Sequence, residues 1–290
     1  MGKILVVADE GDSCVATSRG VQLAGALGHS IEVVAFTFAP LSRIASDKDK
    51  QASFKTALLE QRQEQVQARI DRFRKPDQKV SLRVVWKEHI HEWVVKRAQK
   101  AHFDLVIKTG RQSGSITYTS TDWHLLRECP APVMITEANK WHRTKPVLAA
   151  LDLGTKSKRK QALNSAVLGK AKELAHSLGV ELKIISAIEI PAILSDLDLI
   201  DPIRYTKEHR EELMPHLKVL AKAHDVDKKA FVTRRGPVDK VICSYAAKVR
   251  AQVVVLGTSA RTGIGAAIIG NTAEEVLEFL RTDILAIKGD

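Results

Sequence analysis

Cysteine is scarce in this chain of 290 residues. Only Cys14, Cys129 and Cys243 are present, far apart and without a Cys-x-x-Cys pair. An odd number of distant thiols argues against a disulfide framework, and the spacing offers no thiolate set for a structural zinc ion. Reduced thiols of this kind are typical of a reducing compartment, so we expect a cytoplasmic protein.

Long apolar runs are also missing. No stretch approaches the roughly 18 to 20 apolar residues that a membrane-spanning helix needs, so we expect no membrane span. Aromatic residues make up 5% of the chain, hydrophobic residues 44% and charged residues 27%, which is typical of a soluble globular protein. The length suffices for two domains that each bury their own core.

The chain has few places where positive charge is concentrated, although its net charge is +11. Residues 1–142 carry 21 basic and 16 acidic residues (+5), and residues 143–290 carry 24 and 18 (+6). This even spread predicts no dedicated nucleic-acid arm. The one dense basic cluster, residues 156–160, is either a solvated helix start or a feature that attracts phosphate groups.

Several catalytic signatures are absent. The chain has no Walker A motif, no Rossmann GxGxxG and no G-x-S-x-G elbow, and Ser259 has no identifiable His/Asp partners. Nor does the sequence show a carboxylate cluster for Mg²⁺ or a positioned base for phosphoryl transfer. Whether the protein is an enzyme stays open, and we expect any phosphoryl transfer to be slow at most.

A metal site is the alternative reading of His89 and His91, which lie beside Glu88 and Glu92. No cysteine or further histidine follows at ligand spacing. The pattern therefore favours surface histidines at the start of a helix, and we predict no metal.

Residues 253–276 combine a buried strand, a loop of small residues and a helix start. The strand is the apolar run 253–256, and the helix start is Asn271-Thr272 followed by two glutamates in the first turn. Such a loop lets backbone N–H groups approach an anion closely. The other interpretation is a tight connection that binds nothing.

The order of elements occurs twice, with a period of roughly 145 residues. Each half begins with an apolar strand ending in an aspartate, Asp9 or Asp152, followed by a helix that a glycine ends. Alternating strands and helices predict α/β domains with doubly wound parallel sheets. We expect an N-terminal domain at 1–137 and a C-terminal domain at 145–290, joined by a polar, proline-ended linker.

The loop after the C-terminal buried strand resembles that of the nucleotide-binding universal stress proteins. Their G-x2-G-x9-G-(S/T) pattern appears here as Gly257-x-x-Ala260, nine residues, then Gly270-Asn271-Thr272, so that Ala260 replaces a glycine and Asn271 a hydroxyl residue. Residues 121–133 and 263–274 also resemble the tandem, E-type members, and the likeness covers nearly the whole chain.

This resemblance implies two five-stranded, Rossmann-like domains of the adenine nucleotide alpha hydrolase type. It also implies a protein that supports stress resistance by binding, with ATP as the candidate ligand of the C-terminal domain. The positions that correspond to the family's nucleotide site are Asp152, Ala187, Ile188, Gly257, Ser259, Ala260, Arg261, Gly270, Asn271 and Thr272.

The first half departs from the family's nucleotide loop. Its segment 109–121 is three residues shorter than the counterpart, lacks the late glycine and contains the bulky Tyr118. We expect this half to have a degenerate nucleotide loop and to complete an intramolecular pseudo-dimer. A homodimer is the other assembly that the resemblance allows.

Two other functions stay open at this stage. The protein could be an interaction protein that binds no nucleotide, in which Ala260 and Asn271 mark a degenerate site. Alternatively, it could carry an anionic ligand with an apolar part. The apolar, proline-bounded segment 190–203 would then wall the ligand pocket, although such a segment also packs commonly onto its own domain.

Overall fold

The structure is a computed structural model that describes residues 2–11, 13–110, 120–138, 140–142, 144–190, 201–259 and 271–289. Contacts within the chain divide it into two compact units, one within residues 2–138 and one within 140–289. Each unit is an α/β domain with its own parallel sheet and flanking helices.

The first unit contains a five-stranded parallel sheet in the order β3-β2-β1-β4-β5. Its strands are β1 (Lys3–Val7), β2 (Ser30–Thr37), β3 (Val80–Trp86), β4 (Leu105–Thr109) and β5 (Val133–Thr136). The helices described in this unit are α1 (Val15–Leu27), α2 (Lys48–Phe73), α3 (Ile90–Lys100) and α4 (Ser120–Glu128), with a 3₁₀ turn at Leu41–Arg43.

The second unit repeats this topology, with strands in the order β10-β9-β6-β7-β8. The strands are β6 (Val147–Ala150), β7 (Leu182–Ile188), β8 (Phe231–Arg235), β9 (Val253–Ser259) and β10 (Asp283–Gly289). The helices described are α5 (Lys158–Leu178), α6 (Pro202–Ala223), α7 (Val238–Val249) and α8 (Asn271–Phe279), with a 3₁₀ turn at Lys228–Ala230.

The sequence pattern explains why these strands are central. Apolar runs such as Ile4–Val7 and 253–256 are buried on both faces, as a sheet covered by helices on two sides requires. Gly28 and Gly179 end α1 and α5 in the left-handed conformation, with φ of 67° and 66°. The predicted doubly wound α/β architecture and the two glycine stops are confirmed.

The helix α6 is an element that the sequence reading did not identify. Its signals are present in the chain: the Asp201 carboxylate caps the helix by accepting the Ile203 N–H at 2.8 Å, and Pro202 occupies the first turn. Leu213, Leu217 and Leu220 then supply the buried face. Pro215 lies inside this helix, where a proline ordinarily predicts a break.

Among the helices that the structure describes, none is both long enough and apolar enough to cross a bilayer.

Candidate functional site

Asp152 lies at the carboxyl edge of the second sheet, two residues after β6. The strand β6 is flanked by β7 and β9, with Ala150 aligned with Ile185 on one side and Leu256 on the other. Counting on two residues places position 152 level with Ala187 and Thr258. From β6 the chain continues to β7 and β8 on one side, and it then crosses to β9 on the other side of β6. Asp152 therefore lies at the switch point, where α/β sheets bind ligands.

The backbone at Asp152 is held by the buried side chain of Asn164, in α5. The Asp152 N–H donates to Asn164 Oδ1 at 3.1 Å, and Asn164 Nδ2 donates to the Asp152 carbonyl at 2.7 Å. On either side, the Leu151 N–H donates to the Ile185 carbonyl, and the Leu153 N–H donates to Ser186 Oγ. These bonds fix the turn and leave the Asp152 carboxylate out of the backbone network.

The Asp152 side chain is 54% exposed and forms an ion pair with Lys160, whose Nζ lies 3.5 Å from Oδ2. Lys160 belongs to the first turn of α5, which also contains Lys158 and Arg159 and no acidic residue. The positive end of the helix dipole destabilises these three cations, whereas it stabilises an anion bound beside them. The charges beside Asp152 therefore favour a negatively charged ligand.

Gly257 is a strand residue of β9, and its environment explains why this position requires glycine. A Cβ built at this position would lie 2.7 Å from Leu163 of α5, closer than atoms can pack. The glycine thus brings α5 against the sheet. A Cβ built at Gly289 of β10 would lie 3.5 Å from the same Leu163, an ordinary packing distance.

The other predicted site residues lie at the ends of β7 and β9, at the start of α8, or outside the described residues. Ala187 and Ile188 end β7, and the Ile188 carbonyl already accepts the Gly236 N–H at 3.1 Å. Ser259 ends β9, while Asn271 and Thr272 begin α8, where the sequence predicted a helix start. Ala260, Arg261 and Gly270 lie outside the described residues.

Helix α6 covers the turn that carries Asp152, a contact that the sequence reading missed because it missed the helix. His216 Nδ1 lies 3.0 Å from the Leu153 carbonyl, and Leu213 packs against Gly154. Most of the apolar segment considered as a pocket wall, residues 191–200, lies outside the described residues.

The equivalent aspartate of the first unit is used differently. Asp9 is only 8% exposed, and its Oδ2 accepts the Ala16 N–H of α1 at 3.1 Å. The Ala16 N–H also donates to Thr109 Oγ1, at the β4 position that corresponds to Gly257 of β9. The carboxylate thus caps the start of α1.

The helices that follow the two aspartates differ by eight residues. From Asp9 to Gly28 is 19 residues, and from Asp152 to Gly179 is 27 residues; α1 has 13 residues and α5 has 21. The whole difference is therefore two helical turns at the start of α5. Those turns carry Lys160, Leu163 and Asn164, so the first unit has no counterpart of them.

Arg62 of α2 adds a buried cation on the Asp9 side of the first unit. Its Nη2 donates to the Asp9 carbonyl at 2.7 Å, and Arg69 Nη1 lies 3.4 Å from the same oxygen. Burial, together with the charge of Arg69, lowers the pKa of Arg62. The two arginines fasten α2 over the end of β1.

The histidines that raised the question of a metal lie in the first unit. His89 precedes α3, and His91 stacks on His124 of α4 with ring centroids 4.1 Å apart. Burial and the neighbouring His124 lower the pKa of His91. Within the described residues, no group of three or more histidine, cysteine, aspartate or glutamate side chains is placed to hold a metal ion.

Comparison with known proteins places the chain in a family. Residues 1–137 and 143–288 each match the Universal stress protein family. Universal stress protein E of Salmonella typhi is 29% identical over 99% of this chain and 94% of its own length. The protein of that name from Photorhabdus laumondii is 30% identical over 73% of this chain and 69% of its length.

A solved structure agrees with this result. The putative universal stress protein of Pseudomonas aeruginosa UCBPP-PA14 is 26% identical, with a TM-score of 0.73 over 99% of this chain and 93% of that one. Two family matches that together span nearly all the residues, each with the same strand order, leave one conclusion. The chain belongs to the universal stress protein family and contains two copies of its domain.

Proposed function

We propose that the protein acts by binding an adenine nucleotide, ATP, at the carboxyl edge of the second sheet. The observation that carries the proposal is the contrast between the two aspartates. Asn164 holds the backbone of Asp152 and leaves the carboxylate exposed at the switch point, whereas Asp9 is turned inward to cap a helix. Of the two equivalent aspartates, Asp152 is therefore the one whose carboxylate is accessible to a ligand.

The chemistry of the surrounding residues fits a nucleotide. The Asp152 carboxylate is an acceptor suited to ribose hydroxyls or the adenine amino group. The end of β7, at Ala187 and Ile188, offers backbone groups beside it. Backbone N–H groups of the loop that follows β9 and the cations of the first turn of α5 would bind the phosphates.

The proposal assigns the rest of the sequence-derived site to the phosphates. These residues are Ser259, Ala260, Arg261, Gly270, Asn271 and Thr272. Turnover of ATP is expected to be slow, because efficient phosphoryl transfer needs a held Mg²⁺ ion and a positioned base, and the sequence shows a pattern for neither. The protein would thus act by holding the bound nucleotide rather than by converting it quickly.

Calorimetric titration with ATP tests this function. The wild-type chain should bind saturably, and Asp152→Ala should weaken binding at least about tenfold, the loss of one charge-assisted hydrogen bond. Gly270→Trp should abolish binding by filling the loop. Asp77→Ala, which removes an exposed carboxylate of the first unit, is the matched control and should bind as wild type.

Two results would overturn the proposal. Negligible binding by the wild type would favour the interaction protein without a ligand. Equal affinity of wild type, Asp152→Ala and Gly270→Trp would place the nucleotide elsewhere. Fast turnover that Asp152→Ala removes would instead make the protein an enzyme.

A further inference from the structure

A second cavity lies in the C-terminal unit, at the edge opposite Asp152. It has a volume of about 500 Å³, within the range of small-molecule sites. Its walls are Lys140, Trp141, His142 and Lys145, the amino-terminal ends of β9 and β10, and the carboxyl-terminal ends of α7 and α8. Nothing in the proposed nucleotide site uses this cavity.

Trp141 gives the cavity a fixed aromatic wall. Its indole N–H donates to Asp283 Oδ2 at 2.6 Å, and Asp283 is itself 1% exposed at the start of β10. Phe279, at the end of α8, is 56% exposed and lines the same cavity with Leu280. A large aromatic side chain left this open at a cavity wall favours an apolar part in the ligand.

The charged groups around the cavity are mostly cationic. Lys140, Lys145, Arg250 and Arg281 line it, with Asp283 as the acidic residue. Arg281 has a structural use, since its Nη1 donates to the Glu278 carbonyl at 3.2 Å near the end of α8. The Asp283 carboxylate keeps its charge while it accepts the Trp141 N–H, and four cations against one carboxylate give the cavity a positive potential.

Arg250 occupies a position that its backbone conformation makes costly. It ends α7 in the left-handed conformation, with φ of 52° and ψ of 48°. Glycine fills the corresponding position after α1 and α5, as is usual. An arginine at such a position points to a use for its side chain, and that side chain lines the cavity.

Gln252 forms part of the cavity wall but offers no group to a ligand. The residue is 7% exposed, and its Oε1 atom is buried with no hydrogen-bond partner among the described residues. Because this oxygen has no accessible surface, a donor inside the cavity does not reach it. The cations and the aromatic side chains are therefore the groups that a ligand would contact.

Cys243 also lines the cavity but offers no covalent chemistry. Burial, with a smaller effect of Asp239, raises the pKa of its thiol to about 11. The thiolate needed for nucleophilic attack is therefore absent near neutral pH. The cavity is suited to reversible binding.

We propose that this cavity binds a small organic phosphate whose body is aromatic or otherwise apolar. The phosphate would meet Lys140, Lys145 and Arg250, and the body would pack between Trp141 and Phe279. This site is separate from the nucleotide site, so either proposal can fail without the other.

Fluorine NMR of the full chain labelled with 5-fluorotryptophan tests the site. The four tryptophans give four resonances, and Trp141→Phe identifies the one in the cavity. The probes are 1-naphthyl phosphate, 1-naphthol and inorganic phosphate. We expect 1-naphthyl phosphate to shift the Trp141 resonance saturably and to bind at least about tenfold more tightly than either part alone.

Variants identify the groups responsible. Lys145→Gln and Arg250→Asn, the latter chosen because asparagine tolerates the left-handed conformation, should each weaken 1-naphthyl phosphate at least about fivefold. Lys218→Gln, an exposed charge on α6, should match wild type, as should Asp152→Ala. No saturable shift, equal binding of 1-naphthol, or unchanged affinity in both cavity variants would overturn the proposal. So would loss of the shift in Asp152→Ala.

Discussion

Glu32, in β2, is a buried carboxylate with three cations around it, Arg97, Lys3 and, with its Nε 3.9 Å away, Arg83. Arg97 donates to its two oxygens at 2.8 and 2.7 Å, and Lys3 Nζ donates at 2.6 Å. Burial alone would raise the pKa of Glu32, but the hydrogen bonds from Arg97 and Lys3 outweigh it and lower the pKa to about 2. The ionised side chain therefore stabilises the first unit.

The sign of the pH dependence follows from that pKa. The folded value lies below the ordinary value of 4.5, so the stabilisation is complete above pH 4.5 and is lost as the pH falls towards 2. We expect Glu32→Gln to lower the free energy of unfolding at pH 7 by about 3 kcal/mol, since it removes the ionised partner of the partly buried Arg97 and Lys3. The difference from wild type should shrink as the pH approaches 2.

Urea unfolding at several pH values measures this effect. Fluorescence of Trp86, Trp93 and Trp123 follows the first unit, and Glu60→Gln, on the exposed side of α2, is the matched control. A Glu32→Gln deficit that stays constant from pH 7 to pH 2.5 would show that the ion pairs do not carry the stability.

Asn164 determines where the Asp152 carboxylate is presented. Replacing Asn164 by leucine keeps the size but removes the partner of the Asp152 N–H and one of the two donors to the Asp152 carbonyl, which keeps the Thr155 N–H at 3.4 Å. We expect a loss of about 2 kcal/mol in the free energy of unfolding, because two partly buried polar groups lose hydrogen bonds. Calorimetry should also show weaker ATP binding. Unchanged ATP affinity would mean that Asn164 does not position the site.

At the scale of elements, the contact of α5 with the sheet depends on Gly257. The change Gly257→Ala places a methyl group 2.7 Å from Leu163, and the helix must move away. We expect a loss of about 1 to 3 kcal/mol in the free energy of unfolding, as for other overpacked sites. Thermal unfolding followed by circular dichroism measures it.

Two further variants separate overpacking from a general effect of alanine. Gly289→Ala faces the same Leu163 at 3.5 Å and should be nearly neutral. Leu163→Ala combined with Gly257→Ala should recover part of the loss of the single Gly257→Ala change, because the smaller side chain makes room. Equal destabilisation by Gly257→Ala and Gly289→Ala would contradict the packing explanation.

Much of this arrangement of elements could be predicted from the sequence. Apolar runs such as 253–256 identify the buried strands, and Gly28 and Gly179 mark the helix ends, because backbone sterics act locally. Helix α6 was missed, although its capping residue Asp201 and its leucine spacing were present. The contact of α5 with Gly257 could not be predicted, since it joins residues from two separate elements.

At the scale of the whole molecule, duplication gives two domains with the same topology. The residues at the carboxyl edges of their two sheets are used differently. Sequence comparison of the two halves identified Asp9 and Asp152 as equivalent. It did not show that Asp9 would cap α1 or that Asn164 would hold Asp152, because both depend on the eight-residue difference between α1 and α5. The chemical difference between the domains thus arises from helix length.

Native mass spectrometry of the full chain with ATP tests the central claim most directly. One ATP per chain should bind to the wild type and to Asp9→Asn, and a much smaller fraction of Asp152→Ala should carry ATP at the same concentration. Two ATP molecules per chain, or one that Asp9→Asn removes and Asp152→Ala keeps, would contradict the assignment of the nucleotide to the second domain.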